Sequence, residues 1–125
     1  MSKTKLLRKV VKEQLNTTPG GTYHKKAPSD ADYPYKTFRI ESANFTDARD
    51  DLYLEVDVWD RNTDEDPKIA EDIADRIEDL FRDVNLPAPP IYPTFFLDAR
   101  YNREDPDKSL QHIQLRILVQ LYKED

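Results

Sequence analysis

The stretch Leu52–Asp60, "LYLEVDVWD", alternates apolar and polar side chains without a break. Side chains that alternate across a backbone define a strand, and strict alternation means that one face is buried and the other is not. Leu52, Leu54, Val56 and Val58 share one face, and Tyr53, Glu55, Asp57 and Trp59 share the other. The same period returns over about 109–122. There Ile113, Leu115, Ile117, Val119 and Leu121 point one way, and His112, Gln114, Arg116 and Gln120 the other. A chain with two such strands must supply something apolar to cover one side of a sheet.

Helices supply it. Residues 67–84 carry Ile69, Ala70, Ile73, Ala74, Ile77, Leu80, Phe81 and Val84 as a wide apolar stripe ringed by carboxylates. Asp66 is placed to cap this helix, and Pro67 suits its first position. A shorter helix is expected within 1–15, where Leu6, Leu7, Val10, Val11 and Leu15 have helical spacing opposite a row of lysines. "TTPGG" at 17–21 ends it. Residues 16–34 read as an extended connector, held open by Pro28 and Pro34.

Two more strands are expected. One is "YKTFRIES", with Phe38 and Ile40 against Thr37, Arg39 and Glu41; the other spans about 93–102, with Phe95, Leu97, Ala99 and Tyr101 against Phe96 and Asp98. "ANFTDARDD" between the first two strands reads as a polar loop. The order α-β-β-α-β-β predicts an α+β fold: a mainly antiparallel four-stranded sheet packed on one face by two helices. At 125 residues the chain is read as one domain, 1–125, with the sheet and long helix in 35–125.

Several functional classes lose support. With no cysteine, disulfides and thiolate metal sites are impossible, which suits a reducing interior. No apolar run approaches the roughly 18–20 residues that cross a bilayer, so no membrane partner is expected. No signal peptide is expected either, because the basic start lacks an apolar core and cleavage site. The two glycines, Gly20 and Gly21, leave no phosphate loop elsewhere. His24 and His112 lack ligand spacing, so no metal or cofactor is expected. No serine lies in a nucleophile elbow.

Charge is divided. Residues 1–26 carry seven cations against Glu13 alone, a net +6, so the rest carries −12 of the total −6. A basic head could meet nucleic acid or anionic lipid. A solvated helix complementing an acidic body, its own or a neighbour's, is the better reading, since an acidic body repels DNA.

Glu55 and Asp57 lie two apart and so share a sheet face. With Asp98 they could form the acidic cluster of a metal-dependent nuclease or resolvase. Such a site needs more oxygen ligands and a basic groove, and no lysine or arginine cluster accompanies this strand. A solvated or subunit-facing strand is favoured, with no catalytic residues. Tyr53 and Trp59 on that polar face, Phe45 in a polar segment and the outward Arg116 suggest contact with a partner.

The order of segments resembles the small tail-terminator or tail-completion proteins of long-tailed phages and prophages. The resemblance rests on a basic N-terminal helix, then "ADYPYKTFRIES", "LYLEVDVWDRN", "IAEDIADRIEDLF" and a closing "FFLDARYNREDPDKSLQHIQLRILVQLY". It covers most of the chain; the proline-rich "PAPPIYP" departs from it. The resemblance implies a structural, non-enzymatic subunit that caps the tail tube as a ring, usually hexameric, and joins it to the head connector. Its partners would be copies of itself, the tail-tube protein and neck proteins, with DNA only passing through the lumen. It would lie at the head-proximal end of the tail in the virion, and in the host cytoplasm during assembly. A neck or head-completion protein is the neighbouring alternative. Within such a ring Phe45, Tyr53, Glu55, Asp57, Trp59 and Arg116 are the expected contact or lumen residues.

Overall fold

A computed structural model describes residues 3–46 and 48–122. Two helices and six strands follow in the order α1 (Lys3–Leu15), β1 (Gly21–His24), β2 (Tyr35–Phe45), β3 (Arg49–Arg61), α2 (Lys68–Phe81), β4 (Val84–Asn85), β5 (Pro93–Arg103) and β6 (Leu110–Tyr122). The first two residues of the expected 1–15 helix lie outside the described residues.

The expected four-stranded sheet is corrected. The four long strands are antiparallel neighbours, but they form the middle of a six-stranded mixed sheet in the order β1-β2-β3-β6-β5-β4. β1 pairs parallel to β2, from Gly21 opposite Tyr35 to His24 opposite Phe38. It was expected to be connector. At the other edge, β4 adds two residues against Thr94 and Phe95. The segment "ANFTDARDD" is not a loop either: β2 runs to Phe45 and β3 begins at Arg49, so it forms a hairpin arm with a bulge between Ser42 and Asn44.

Both helices do pack on one face. The apolar stripes of α1 and α2 meet the inward residues of β2, β3, β5 and β6 in a single core. Leu54, Val56, Ile117, Val119 and Phe95 are buried there beneath Leu7, Val11, Ile73 and Ile77. Phe81 of α2 packs on Phe95 at 5.0 Å between ring centres. The Asp66 carboxylate accepts the Lys68 N–H at 3.0 Å, but the N-cap position is Pro67, without a side-chain cap, so α2 starts at Lys68, one residue later than expected, and ends at Phe81.

Not every inward position is apolar. Lys36 is completely buried, and its ammonium donates to the carbonyls of Thr18, Pro19 and Gly20 at 3.2, 3.0 and 2.8 Å. It ties the loop after α1 to the sheet. Gly20 makes that loop possible: its φ is +88°, and a Cβ there would lie 2.3 Å from the Pro34 carbonyl oxygen.

β5 also departs from simple alternation. A bulge between Leu97 and Ala99 shifts the register. Beyond it Arg100, not Ala99 or Tyr101, turns toward α2 and pairs with Asp75 at 2.7 Å and with Glu78. Ala99 and Tyr101 lie instead on the outer face with Arg116 and Gln114.

Candidate functional site

The outer sheet face carries every expected strand residue of the contact set. Tyr53, Glu55, Asp57 and Trp59 are all half-buried although no helix lies over them. Neighbouring strands provide their cover, because each faces a β6 or β2 side chain across the ladder.

An aromatic row crosses four strands. Tyr23 meets Tyr35 edge-on at 5.9 Å, Tyr35 meets Trp59 at 6.5 Å, and Trp59 stacks on the His112 imidazole at 3.7 Å. Stacked planar rings shield one another from water while leaving an outer surface exposed. The Trp59 indole N–H also reaches the Thr37 hydroxyl at 3.4 Å.

Beside this row the carboxylates are each held by a neighbouring side chain. Asp57 lies 2.7 Å from His112 Nε2. Arg39 grips Glu55 at 2.7 Å and also approaches Glu41 at 3.3 Å. Arg116 lies flat over the Tyr53 ring, 3.8 Å from its centre, and contacts Asp98 at 3.4 Å. The face is thus a mesh of short-range pairs. Glu55, Asp57 and Asp98 are drawn to three different partners, and no group of three His, Cys, Asp or Glu side chains among the described residues could hold a metal ion.

Phe45 stands apart. It lies near the end of the β2–β3 arm, 67% exposed, and belongs to a different surface from Trp59. His112 and Arg39 had no assigned role in the sequence, yet they organise the outer face. Their alternation marked them as outward, but only the strand register puts His112 on Trp59 and Arg39 on Glu55.

A second surface lies on the helix side. Lys5, Arg8, Lys9 and Lys12 of α1 form one wall of an open groove of about 300 Å³, and His24 and Phe38 form its floor. The two floor rings are 5.3 Å apart. Burial, and then the positive charges of Arg8, Lys25 and Lys12, push the His24 imidazole below its ordinary pKa. A neutral His24 gives the groove an aromatic floor under a cationic rim.

The same fold occurs in a chain of the virion of a native gene transfer agent particle. That alignment covers 96% of this chain and 91% of the other, with a TM-score of 0.67 and 12% identity. A second solved chain, whose name carries no functional description, matches over 100% of this chain and 99% of its own (TM-score 0.74, 11% identity). The bacteriophage SPP1 gp17 protein matches over 96% and 89%, with a TM-score of 0.53 and 17% identity. At such identities these likenesses establish the fold alone. No protein-family profile matches the sequence, and no curated protein matches it. No helix among the described residues is long and apolar enough to cross a membrane.

Chemically, the outer face can present stacked rings and compensated charge to a partner. Its carboxylates Glu55, Asp57 and Asp98 are engaged by Arg39, His112 and Arg116. The α1 groove is the opposite case: Arg8, Lys9 and Lys12 concentrate positive charge along one wall.

Proposed function

We propose that this chain is a structural, non-enzymatic protein of a phage or prophage particle. In this reading it assembles as a ring, usually a hexamer, at the head-proximal end of the tail. It caps the tail tube there and joins it to the head connector. The observation that carries the reading is whole-chain fold likeness: a chain of a gene transfer agent virion and a bacteriophage protein each align over nearly all of this domain. The surface supports it too. Half-buried aromatics and paired charges suit repeated contact, and an outer face with its carboxylates held in place suits a lumen past which DNA slides without sticking.

A nuclease reading finds no support in the acidic residues, because Glu55, Asp57 and Asp98 are held apart by Arg39, His112 and Arg116. The test is co-assembly with the tail-tube protein of the same particle. Electron microscopy should show rings at one tube end and tubes that stop growing. Uncapped tubes that lengthen freely in the presence of the protein would refute the reading, as would magnesium-dependent DNA cleavage lost in a Glu55→Gln/Asp57→Asn double variant.

A further inference from the structure

Nearly every strand cation of this protein is matched within its own chain. Arg39, Arg49, Arg61, Arg100 and Arg116 all bind carboxylates, as does Lys3 at the start of α1. The groove cations of α1 contrast with these. Among the described residues Arg8, Lys9 and Lys12 form no ion pair, although they crowd one side of α1. Glu13, the one carboxylate of α1, does not line the groove.

The reverse imbalance occurs at the start of α2. Asp64, Glu65, Glu71 and Asp72 are all exposed and take part in no ion pair among the described residues. Ile69 projects from the same first turn with 49% of its surface exposed. Asp72, three residues on, is its neighbour along the helix surface. An aliphatic knob among mostly acidic neighbours, with Lys68 the one cation beside it, is the complement of an aromatic floor under a rim of cations.

We propose that the first turn of α2 of one copy docks into the α1 groove of the next. Ile69 sits over Phe38 and His24, and Asp64 and Asp72 approach Arg8, Lys9 and Lys12. The two patches are different surfaces of one chain, so the contact is head-to-tail and closes into a ring when the rotation between copies permits. This identifies the subunit contact of the ring proposed above and rests on that reading for its biological setting, but the contact itself is measured without any tail component.

The experiment is a charge swap read by light scattering on the isolated protein at low ionic strength. Arg8→Glu/Lys9→Glu/Lys12→Glu reverses the groove, and Asp64→Lys/Glu71→Lys/Asp72→Lys reverses the knob. Each triple variant alone juxtaposes like charges and should associate about 100-fold more weakly than the wild type. A mixture of the two variants should recover wild-type mass, because each reversed groove then meets a reversed knob. Raising salt to about 1 M, where the screening length falls to roughly 3 Å, should weaken the wild-type contact. Circular dichroism confirms that each variant is folded before its mass is read. The inference is overturned if both variants associate as the wild type does, if their mixture fails to recover, or if the wild type stays monomeric at millimolar concentration. Failure here with normal capping of tail tubes would place the ring contact elsewhere; an intact swap without capping would refute the tail reading instead.

Discussion

Replacing Lys36 with Met should destabilise the fold, even though it removes a buried charge. The ammonium satisfies three backbone carbonyls in the loop that follows α1. Thr18 is buried, so its carbonyl would be stranded in the variant, while Pro19 and Gly20 are exposed enough for water to serve theirs. One stranded acceptor costs about 1–3 kcal/mol, and two partly rescued ones add a little. Relief from burying the charge offsets part of this. The expected net loss is about 2 kcal/mol. In urea, with a slope of roughly 1–3 kcal/mol per molar, the midpoint should fall by about 1 M with no change of slope.

The pH dependence gives a second arm. Burial pushes the Lys36 ammonium down to about 8 from the usual 10.5. Between those values the unfolded chain holds more protons than the folded one, so this group's contribution to stability grows as pH rises from about 8 to 10.5. The stability difference between wild type and Lys36→Met should therefore widen across that window, while titrations common to both cancel. A Lys36→Met variant as stable as the wild type would refute the clamp; a difference flat in pH would instead show that the three carbonyls fully offset the cost of burying the ammonium.

Gly20→Ala should cost at least about 2 kcal/mol in thermal or urea unfolding, since both its positive φ and the nearby Pro34 carbonyl oppose a side chain. Gly21→Ala meets only the movable Tyr23 side chain and should be far milder. Neutralising Glu55 and Asp57 together should leave the circular dichroism spectrum intact and shift stability by no more than about 1 kcal/mol per pair, as for pairs near a wet surface; a collapsed or unfolded chain would show that they are structural. Trp59 is the sole tryptophan, so its emission reports the outer face directly. Addition of tail-tube protein should shift that emission to the blue as the face is covered, whereas an unchanged spectrum on assembled tubes would put the contact elsewhere.

The middle of the fold was legible because its signals are local. Leu52 to Val58 face one continuous core, so alternation alone located β3, and the Ile/Ala stripe did the same for α2. The sheet edges were not legible. β1 has four residues, with Thr22 as its one buried side chain, and it becomes a strand only by lying beside Tyr35–Phe38. β4 is shorter still. Past Ile40 the polar residues of the β2–β3 arm carry no apolar period, so the arm read as a loop. A one-residue bulge reversed the faces of β5 beyond Leu97, which exposed Tyr101 and turned Arg100 inward. The outer face was half legible for a related reason. Alternation placed Tyr53, Glu55, Asp57 and Trp59 together, but the pairing of Asp57 with His112 spans 55 residues of sequence and depends on strand register. The α1 groove needed tertiary structure as well, since Phe38 and His24 meet the helix only once β1 has paired.

The most direct measurement of the proposed role is electron microscopy of tails assembled with and without this protein, with tube length and tube ends scored together. The account predicts ring-capped tubes of uniform length when it is present and open, overgrown tubes when it is absent. Tubes of uniform length without it, or rings that never occupy a tube end, would contradict the account.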